Sequence, residues 1–367
     1  MHLNQKDKKS SLRIIGLMSG TSMDGVDLIC VDFYMNSPRC SYQILAQKTY
    51  KYETNLLSEL SKAKFLNVPE ILKLDKVLGR YFAEKINDFC VEFKLQQNQI
   101  HAIASHGHTV HHQPENGFTQ QIGCGTTMAV LTNINVVNDF RSKDVVLKGQ
   151  GAPLVPIGDK LLFEGRAESF INLGGFCNIS FQGVNEAMFA FDICPCNLPL
   201  NQFSKALGKE FDFNGNFARS GKNHLELLKK LNDIAYYEQN GPKSLGTEFL
   251  ERTFLPLVRS VDIPFEDLLS TITEHIAIQI SKVLLNNQIR STFLTGGGAR
   301  NSYLIERISA HSKKVQIIQA SDIEIEFKEA LVFALLGSLY LRDIPNTLHS
   351  VTGSSRPCVG GVFHKFK

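Results

Sequence analysis

The chain has 367 residues, of which 43% are hydrophobic and 20% charged, and its formal net charge is +3. This composition is typical of a globular protein with room for two or three domains of roughly 100–200 residues each. The small net charge argues against nucleic acid or an acidic membrane surface as a partner. No uninterrupted apolar segment reaches the ~18 residues of a membrane-spanning helix. We therefore expect neither nucleic-acid nor membrane binding.

The polar, lysine-rich start of the chain predicts a flexible leader over residues 1–11, without the apolar core of a secretory signal. The eight cysteines are scattered along the chain. Without such a signal we expect them to be reduced thiols in a cytoplasmic protein. Cys194 and Cys196 lack the two-residue spacer of most zinc sites, so we expect no zinc there.

The first half opens with a glycine- and serine-rich insert, Gly16–Asp27, between two apolar runs. The runs predict strands, so the insert predicts a tight hairpin. Exposed backbone N–H groups, hydroxyls and a carboxylate in such a turn suit a phosphate with a metal ion, although an ordinary Gly/Ser turn is the alternative. The candidate contacts are Gly20, Thr21, Ser22, Asp24 and Gly25, with Asp24 also the candidate metal ligand.

Strands and helices then alternate, which is typical of the α/β class. Predicted strands cover Ser41–Tyr50, Ile100–Ser105 and Asn135–Val137, an amphipathic helix begins at Pro69, and a shorter helix lies near Thr126–Thr132.

Polar side chains follow two of these strands. His106 and His108 would share one face of an extended segment. A metal site is one interpretation, but recognition of sugar hydroxyls or structural hydrogen bonding is preferred because no carboxylate cluster accompanies them. Asp139 and Arg141 also share a face, where Arg141 could bind a carboxylate in a forked geometry or pair with Asp139.

The loop Lys148–Pro153 is rich in helix breakers and predicts a domain boundary. Beyond it the opening pattern of a glycine-turn hairpin and a neighbouring strand recurs, which indicates an internal duplication. Two such halves would face each other across a ligand cleft. The recurring elements are the strands Ser169–Leu173, Asn178–Phe181 and Ala187–Phe191, with a turn at Gly174 and Gly175.

Three further features of the second half could carry chemistry. Asp192 stands at the end of the third strand, where a carboxylate could act as a general base or cap a turn. The triple-glycine turn Gly296–Gly298 follows a predicted strand, Arg290–Leu294, and lets the backbone approach a ligand closely. Lys243 is either an anion contact or a surface lysine.

The remaining predicted elements are the helices Pro264–Asn286 and Glu326–Leu341 and the strand Val315–Gln319. Neither a P-loop nor a dinucleotide-binding glycine fingerprint occurs. Nucleotide binding would therefore use three separate turns, at Gly16–Gly25, Gly174–Gly175 and Gly296–Gly298.

Six motifs in register closely resemble the anhydro-N-acetylmuramic acid kinase family. The resemblance runs from about Ile14 to Phe363 and is specific because the motifs keep their order. They are Gly16–Asp27, Asp139–Arg141 with Gly149–Pro156, Asn172–Gly175 with Asn178, Pro242–Ser244, Gly296–Asn301 and Ser350–Gly353.

The resemblance implies an actin-like fold, as in sugar kinases and Hsp70, with two ribonuclease-H-like domains around a nucleotide cleft. The expected N-terminal domain is 12–145, to which 344–367 could return, and the expected C-terminal domain is 146–343. The resemblance also implies ATP and Mg²⁺ as cofactors and a homodimer.

The implied reaction opens the bridge of 1,6-anhydro-N-acetylmuramic acid with water and phosphorylates O6 with ATP. Its product is N-acetylmuramic acid 6-phosphate, an intermediate of cell-wall recycling. Alternatives are a catalytically weakened binding relative or a kinase for another amino sugar. Asp192 matches the family's base, the implied nucleotide contacts include Gly174, Gly175, Gly296, Gly297 and Gly298, and the implied substrate contacts are His106, Asp139, Arg141, Gln150 and Glu329.

One segment departs from the family's pattern. The family usually reads Asp-Thr-Gly-Pro-Gly-Asn around the base, whereas this chain has Ile193, Cys194 and Cys196 at the three variable positions. Asn201 also stands where Asp is common. The added side chains are expected to narrow the approach to phosphate or sugar, and so to affect substrate choice and rate.

Overall fold

The computed structural model describes residues 11–20, 25–36, 39–183, 187–239, 241 and 243–367. The strands are β1 Ser11–Ser19, β2 Val26–Asn36, β3 Arg39–Tyr50, β4 Ala102–Gln113, β5 Phe118–Ile122, β6 Val136–Asn138, β7 Ser169–Leu173, β8 Phe176–Gln182, β9 Met188–Pro195, β10 Ser291–Thr295, β11 Gln316–Gln319 and β12 Val362–His364.

Helices of very different lengths connect these strands. They are α1 Thr54–Lys62, α2 Val68–Glu92, α3 Gly125–Thr132, α4 Ser142–Val146, α5 Pro156–Leu162, α6 Asn197–Ala206, α7 Asn216–Ser220, α8 Leu225–Asn232, α9 Thr247–Phe249, α10 Leu255–Val258, α11 Phe265–Asn286, α12 Ser302–His311, α13 Asp322–Leu341 and α14 His349–Thr352.

The chain divides into two compact units. Unit 1 contains Met1–Phe163 and Phe327–Lys367, and unit 2 contains Glu164–Glu326. The sequence placed these boundaries at 145/146 and 343/344. The glycine-rich loop stays with unit 1 because Gly151 N donates to buried Asp144 at 2.8 Å and Gln150 N donates to Thr352 O at 2.8 Å.

Each unit contains one mixed sheet, with the strand order β12-β6-β4-β1-β2-β3 in unit 1 and β9-β8-β7-β10-β11 in unit 2. In both units the first three strands form an antiparallel meander, and the next two core strands run parallel to the first. In unit 1, β5 pairs with the edge of β4 as an insertion. This shared order is that of a ribonuclease-H-like domain, so the predicted duplication and the actin-like α/β fold class are confirmed.

Local sequence explains the longest helix of unit 1. The Asn67 side chain accepts from Glu70 N, and the Glu70 side chain accepts from Asn67 N, which together form a capping box at the start of α2. Leu78, Phe82 and Ile86 follow at helical spacing and are fully buried. The amphipathic helix predicted from Pro69 onwards is confirmed.

Helix α11 has the length and apolar composition of a membrane-spanning segment, but 78% of its apolar window is buried inside the structure. Ile272, Ile276 and Ile280 on this helix are fully buried in the core of unit 2. These features are typical of the core helix of a globular domain.

Two strands run further than the sequence predicted. β4 continues through the predicted polar cluster to Gln113 and pairs with β5, so His106 and His108 lie inside a strand. β9 continues to Pro195, so Asp192 lies within the strand instead of at its end. Both predicted strands stopped at polar side chains, which was too early. Backbone pairing with β5 extends β4, and backbone pairing with β8 extends β9.

Candidate functional site

The hairpin that opens unit 1 is confirmed, since β1 pairs antiparallel with β2 up to Ser19 opposite Val26. Thr21, Ser22 and Asp24 lie outside the described residues. Gly25 is buried, and an added Cβ would lie 2.6 Å from the Tyr50 carbonyl oxygen. The close approach of β3 therefore requires a glycine here, independently of any ligand. Gly20 lies at the start of the turn and is half-buried.

Arg141 is held by two groups of unit 1. Its Nε and Nη2 lie 3.2 Å and 2.8 Å from His106 Nε2, and its Nη1 donates to the Gly151 carbonyl at 2.7 Å. These contacts engage three of the five N–H groups of a guanidinium. One N–H on each Nη is not used by these contacts, and an arginine can bind a carboxylate through such groups.

His106 accepts from Arg141 as a neutral ring. Burial lowers the pKa of His106 well below its usual value, and the positive charge of Arg141 lowers it further. The ring packs against Phe333 with centroids 4.6 Å apart. Burial also lowers the pKa of Arg141 to about 10, against the attraction of Glu329. The guanidinium therefore keeps its charge at neutral pH.

The Asp139 carboxylate binds the start of a helix instead of forming the salt bridge with Arg141 that the sequence left open. Its Oδ1 accepts from Ser142 N at 3.2 Å and from Ser142 Oγ at 2.6 Å, which caps the start of α4. No ion pair found among the described residues joins Asp139 to Arg141. The salt-bridge alternative is therefore wrong, because the carboxylate turns to the helix start.

The structure places the other predicted sugar contacts around the same arginine. Glu329, on α13, is exposed and acts electrostatically on Arg141. Gln150 is exposed and precedes Gly151, whose carbonyl accepts from Arg141. Unit 1 thus brings together His106, Arg141 and Glu329 from three separate parts of the sequence.

In unit 2, two of the glycine turns lie next to each other at the carboxyl ends of neighbouring strands. β7 and β10 are parallel neighbours, so the turns that follow them start side by side. Gly296 has a φ of +80°, and an added Cβ would lie 2.4 Å from Asn172 Oδ1. Gly297 is exposed, and an added Cβ would meet only Asn197 Nδ2, at 3.7 Å. Backbone without side chains therefore faces open space here.

Asn197 ties the start of α6 to these turns, and sequence reasoning assigned it no role. Its Nδ2 donates to Leu173 O at 2.8 Å, and its N donates to Gly174 O at 3.0 Å. Cys196 N donates to Gly175 O at 2.9 Å. The sequence did contain a signal for this role, because Asn197 follows a strand end that contains proline and is the first residue of an amphipathic helix.

Hydrogen bonds to both its backbone and its side chain hold Asp192 in place. Its N donates to Lys243 O at 3.1 Å, Tyr236 Oη donates to its O at 2.7 Å, and Leu245 N donates to its Oδ2 at 2.8 Å. Burial raises the pKa of Asp192 above its usual value, and the Leu245 N–H opposes that rise. A partly buried carboxylate of this kind is a suitable proton acceptor.

Lys243 supports this arrangement. Its Nζ donates to Tyr236 O at 3.0 Å and Gln239 O at 2.9 Å, and lies 4.4 Å from the centroid of the Tyr236 ring. Burial lowers the pKa of Lys243. Two of the three N–H groups of this ammonium therefore bind its own loop, and an anion contact through the third stays a prediction.

The segment that departs from the family's pattern turns its new side chains inward. Ile193 is 1% exposed and Cys194 and Cys196 are 0% exposed, and all three belong to the hydrophobic core of unit 2. The expectation that they narrow the approach to a ligand is therefore wrong. Ile193 and Cys194 lie on the same strand as Asp192, Cys196 follows that strand, and all three side chains fill core volume.

Residues 12–365 match the family model described as anhydro-N-acetylmuramic acid kinase. The chain belongs to the anhydro-N-acetylmuramic acid kinase family. A protein of that name from Shewanella frigidimarina is 37% identical, with 95% of this chain and 97% of that protein covered. Another from Shewanella oneidensis is 36% identical, with 95% and 98% covered. One from Legionella pneumophila (strain Corby) is 32% identical, with 95% and 97% covered.

Among solved structures, a ROK hexokinase from Thermus thermophilus covers 89% of this chain and 99% of its own at a TM-score of 0.41 and 10% identity. That similarity is too low to bear on fold or function. The family relatives, in contrast, span nearly their whole length on this chain.

Proposed function

We propose that this protein is a kinase that uses ATP and water to convert 1,6-anhydro-N-acetylmuramic acid into N-acetylmuramic acid 6-phosphate. The match of residues 12–365 to the family carries this proposal. The raised pKa and fixed orientation of Asp192 support it, since the reaction needs a general base. The inward orientation of Ile193, Cys194 and Cys196 removes the reason for a weakened relative.

Asp192 is the proposed base. Leu245 N–H occupies its Oδ2, so Oδ1 takes a proton from the attacking water. The water oxygen bonds to the anomeric carbon of the sugar, and the bond from that carbon to O6 breaks. O6 then bonds to the γ-phosphorus of ATP, and ADP leaves. Positioning and charge neutralisation supply most of the catalysis in such a transfer.

We propose that the glycine turns hold ATP. The open space above Gly297 and the side-by-side turns of unit 2 fit close backbone contact with a phosphate or a flat ring. Asp24 is the proposed ligand of Mg²⁺ and belongs to the segment outside the described residues. Mg²⁺ bound with ATP would neutralise charge on the phosphates.

Arg141 is the proposed contact for the lactyl carboxylate of the sugar. A guanidinium can bind two carboxylate oxygens, and that of Arg141 is already oriented by His106 and Gly151. Glu329 is the proposed contact for a sugar hydroxyl beside it. Gln150 and Asp139 stay predicted substrate contacts, although the Asp139 carboxylate already caps α4.

The direct test is to incubate the protein with ATP, Mg²⁺ and the anhydro sugar and to identify the product by mass spectrometry. We expect the sugar to gain one phosphoryl group (HPO3) and one water. A panel of other amino sugars, including N-acetylmuramic acid without the bridge, gives the control. Absence of product from the anhydro sugar, or faster conversion of another sugar, contradicts the proposal.

The pH dependence should report the environment of Asp192. Activity requires the ionised base, so kcat/KM should fall as the pH drops through the pKa of Asp192. Because burial raises that pKa, the acid limb should have its midpoint above about 4, the ordinary value for Asp. Initial rates across the acid range, with protein stability checked at each pH, measure this midpoint. A midpoint at or below the ordinary value contradicts the assignment.

Cys196→Gly restores the residue usual in the family and tests whether that side chain obstructs the site. We expect kcat/KM to stay unchanged and the free energy of unfolding to fall by about 1–2 kcal/mol, because a buried side chain is lost from the core. Cys177→Ala is the matched control in the same core. Urea unfolding and initial rates give both quantities, and a gain in kcat/KM shows obstruction instead.

We further propose that the enzyme acts as a cytoplasmic homodimer in peptidoglycan recycling. Family resemblance supports this assignment. Sedimentation velocity of the full chain, at several protein concentrations, measures the oligomeric state, and a species with the 41.0 kDa mass of one chain at all concentrations contradicts it.

A further inference from the structure

The C-terminal motif Ser350–Gly353 contacts the glycine-rich loop of unit 1. Thr352, the last residue of α14, is 1% exposed. Its carbonyl oxygen accepts from Gln150 N at 2.8 Å, and Ser355 N donates to Leu147 O at 2.9 Å. Two backbone hydrogen bonds thus join the C-terminal segment to residues 147–150, which lie far from it in the sequence.

Asp144, on α4, is a fully buried carboxylate between these two segments. Its Oδ1 accepts from Thr352 Oγ1 at 2.8 Å, and its Oδ2 accepts from Gly151 N at 2.8 Å. The Thr352 hydroxyl also lies 3.4 Å from Leu348 O, 3.3 Å from Ser354 Oγ and 3.5 Å from Ser354 N. A hydroxyl has one proton to donate, and the charged acceptor at the shortest distance receives it.

Gly151 is bound through both polar groups of its backbone. Its N–H donates to Asp144, and its carbonyl oxygen accepts from Arg141 Nη1 at 2.7 Å. Gly149 leaves room for the carboxylate, since an added Cβ at this position would clash with Asp144 Oδ2. A chain of hydrogen bonds therefore runs from the Thr352 hydroxyl through Asp144 and Gly151 to the Arg141 guanidinium.

We propose that Thr352 is a positioning residue of the sugar site, which through Asp144 and Gly151 holds the Arg141 guanidinium ready for the carboxylate of the sugar. This inference rests on the proposed function. Thr352 needs no contact with a substrate, because it is buried and acts through Gly151. The C-terminal motif thus contributes to substrate affinity without supplying a ligand of its own.

Thr352→Val tests this chain without a change of charge. It removes the hydroxyl but keeps the branched shape of the side chain and the backbone carbonyl that accepts from Gln150. We expect the KM and Kd for the sugar to rise about fivefold or more, with kcat and the KM for ATP within about twofold of the parent values. Thr352→Ser keeps the hydroxyl and should restore sugar affinity to within about twofold of the parent value.

Thr347→Val is the matched control in the same C-terminal segment. Thr347 is 3% exposed, and among the described contacts its hydroxyl bonds to Cys358 and not to the glycine-rich loop. We expect a comparable loss of stability in urea unfolding, with unchanged affinity for the sugar. Equal losses of sugar affinity in the two valine variants would reveal a general effect of destabilisation and would overturn the inference.

A double variant shows whether Thr352 acts through Arg141. Arg141→Lys removes the planar guanidinium that Gly151 orients, so adding Thr352→Val to it should change the sugar KM by less than about twofold. If Thr352→Val causes its full loss of affinity in this background too, Thr352 acts on another part of the site and the inference is wrong.

Hydrogen exchange of the backbone amides at 149–151 gives a measurement that needs no substrate. Exchange should be faster in Thr352→Val than in the parent protein or in Thr347→Val. Unchanged exchange, or unchanged sugar affinity when the parent converts the sugar, overturns the inference alone. If the parent binds the anhydro sugar without turnover, the proposed function fails while calorimetry still tests the inference. If the parent neither binds nor converts the sugar, both fail.

Discussion

Asp192→Asn is expected to reduce kcat by about 10²–10⁴-fold while the protein stays folded and binds ATP. The amide cannot take the proton of the attacking water, but its oxygen can still accept from Leu245 N–H. Because burial raises the pKa of Asp192, the ionised carboxylate opposes folding at neutral pH. The neutral amide should therefore leave the free energy of unfolding unchanged or slightly higher.

The measurement combines single-turnover product formation, ATP calorimetry and urea unfolding. Asn178→Ala is a comparison on the paired strand β8, where Asn178 lies opposite Asp192. If Asp192→Asn retains full activity, the base lies elsewhere. If it loses ATP binding as well, Asp192 supports the nucleotide site instead of the proton transfer.

Asp159→Ala is expected to lower the free energy of unfolding by about 3–5 kcal/mol, the largest stability effect that we predict. Lys328 Nζ lies 2.7 Å from Asp159 Oδ1, and the two side chains are only 7% and 4% exposed. Removing the carboxylate leaves the ammonium buried without this partner. Lys328→Met should lower the free energy of unfolding by less, because methionine is close to lysine in size and shape, although it leaves the Asp159 carboxylate buried.

A double variant distinguishes the ion pair from general packing. Asp159→Leu with Lys328→Met replaces both charges by apolar groups and should recover much of the stability lost by Asp159→Ala. Urea unfolding of Asp159→Leu, Lys328→Met and the double variant gives the coupling free energy. A loss of less than about 1 kcal/mol for Asp159→Ala, as measured for exposed pairs, contradicts this expectation.

Strong periodicity allowed the sheet elements to be predicted. Ser169–Leu173 was predicted with the observed bounds, and the β1–β2 hairpin follows from two apolar runs around a glycine turn. These elements are determined by local pattern, because a buried strand needs apolar residues and a sharp turn needs glycine. The duplication was also visible, because both units repeat the same opening hairpin.

Other features depended on contacts between distant residues. His106 and Arg141 are 35 positions apart, and only the folded chain brings their side chains into hydrogen-bond contact. The ends of β4 and β9 were set by pairing with neighbouring strands, which side-chain polarity does not reveal. The unit boundary moved because Asp144 and Thr352 bind the glycine-rich loop.

The sequence by itself determined the family, the α/β class and the glycine turns, because motif order and apolar periodicity are properties of the chain alone. Only the tertiary structure decided the direction in which individual side chains point. Ile193 and Cys196 looked like obstacles to a ligand, yet they fill the core of unit 2. His106 looked like a ligand contact, yet its Nε2 holds Arg141. The reason is physical: burial and hydrogen-bond partners arise from packing between segments far apart in sequence.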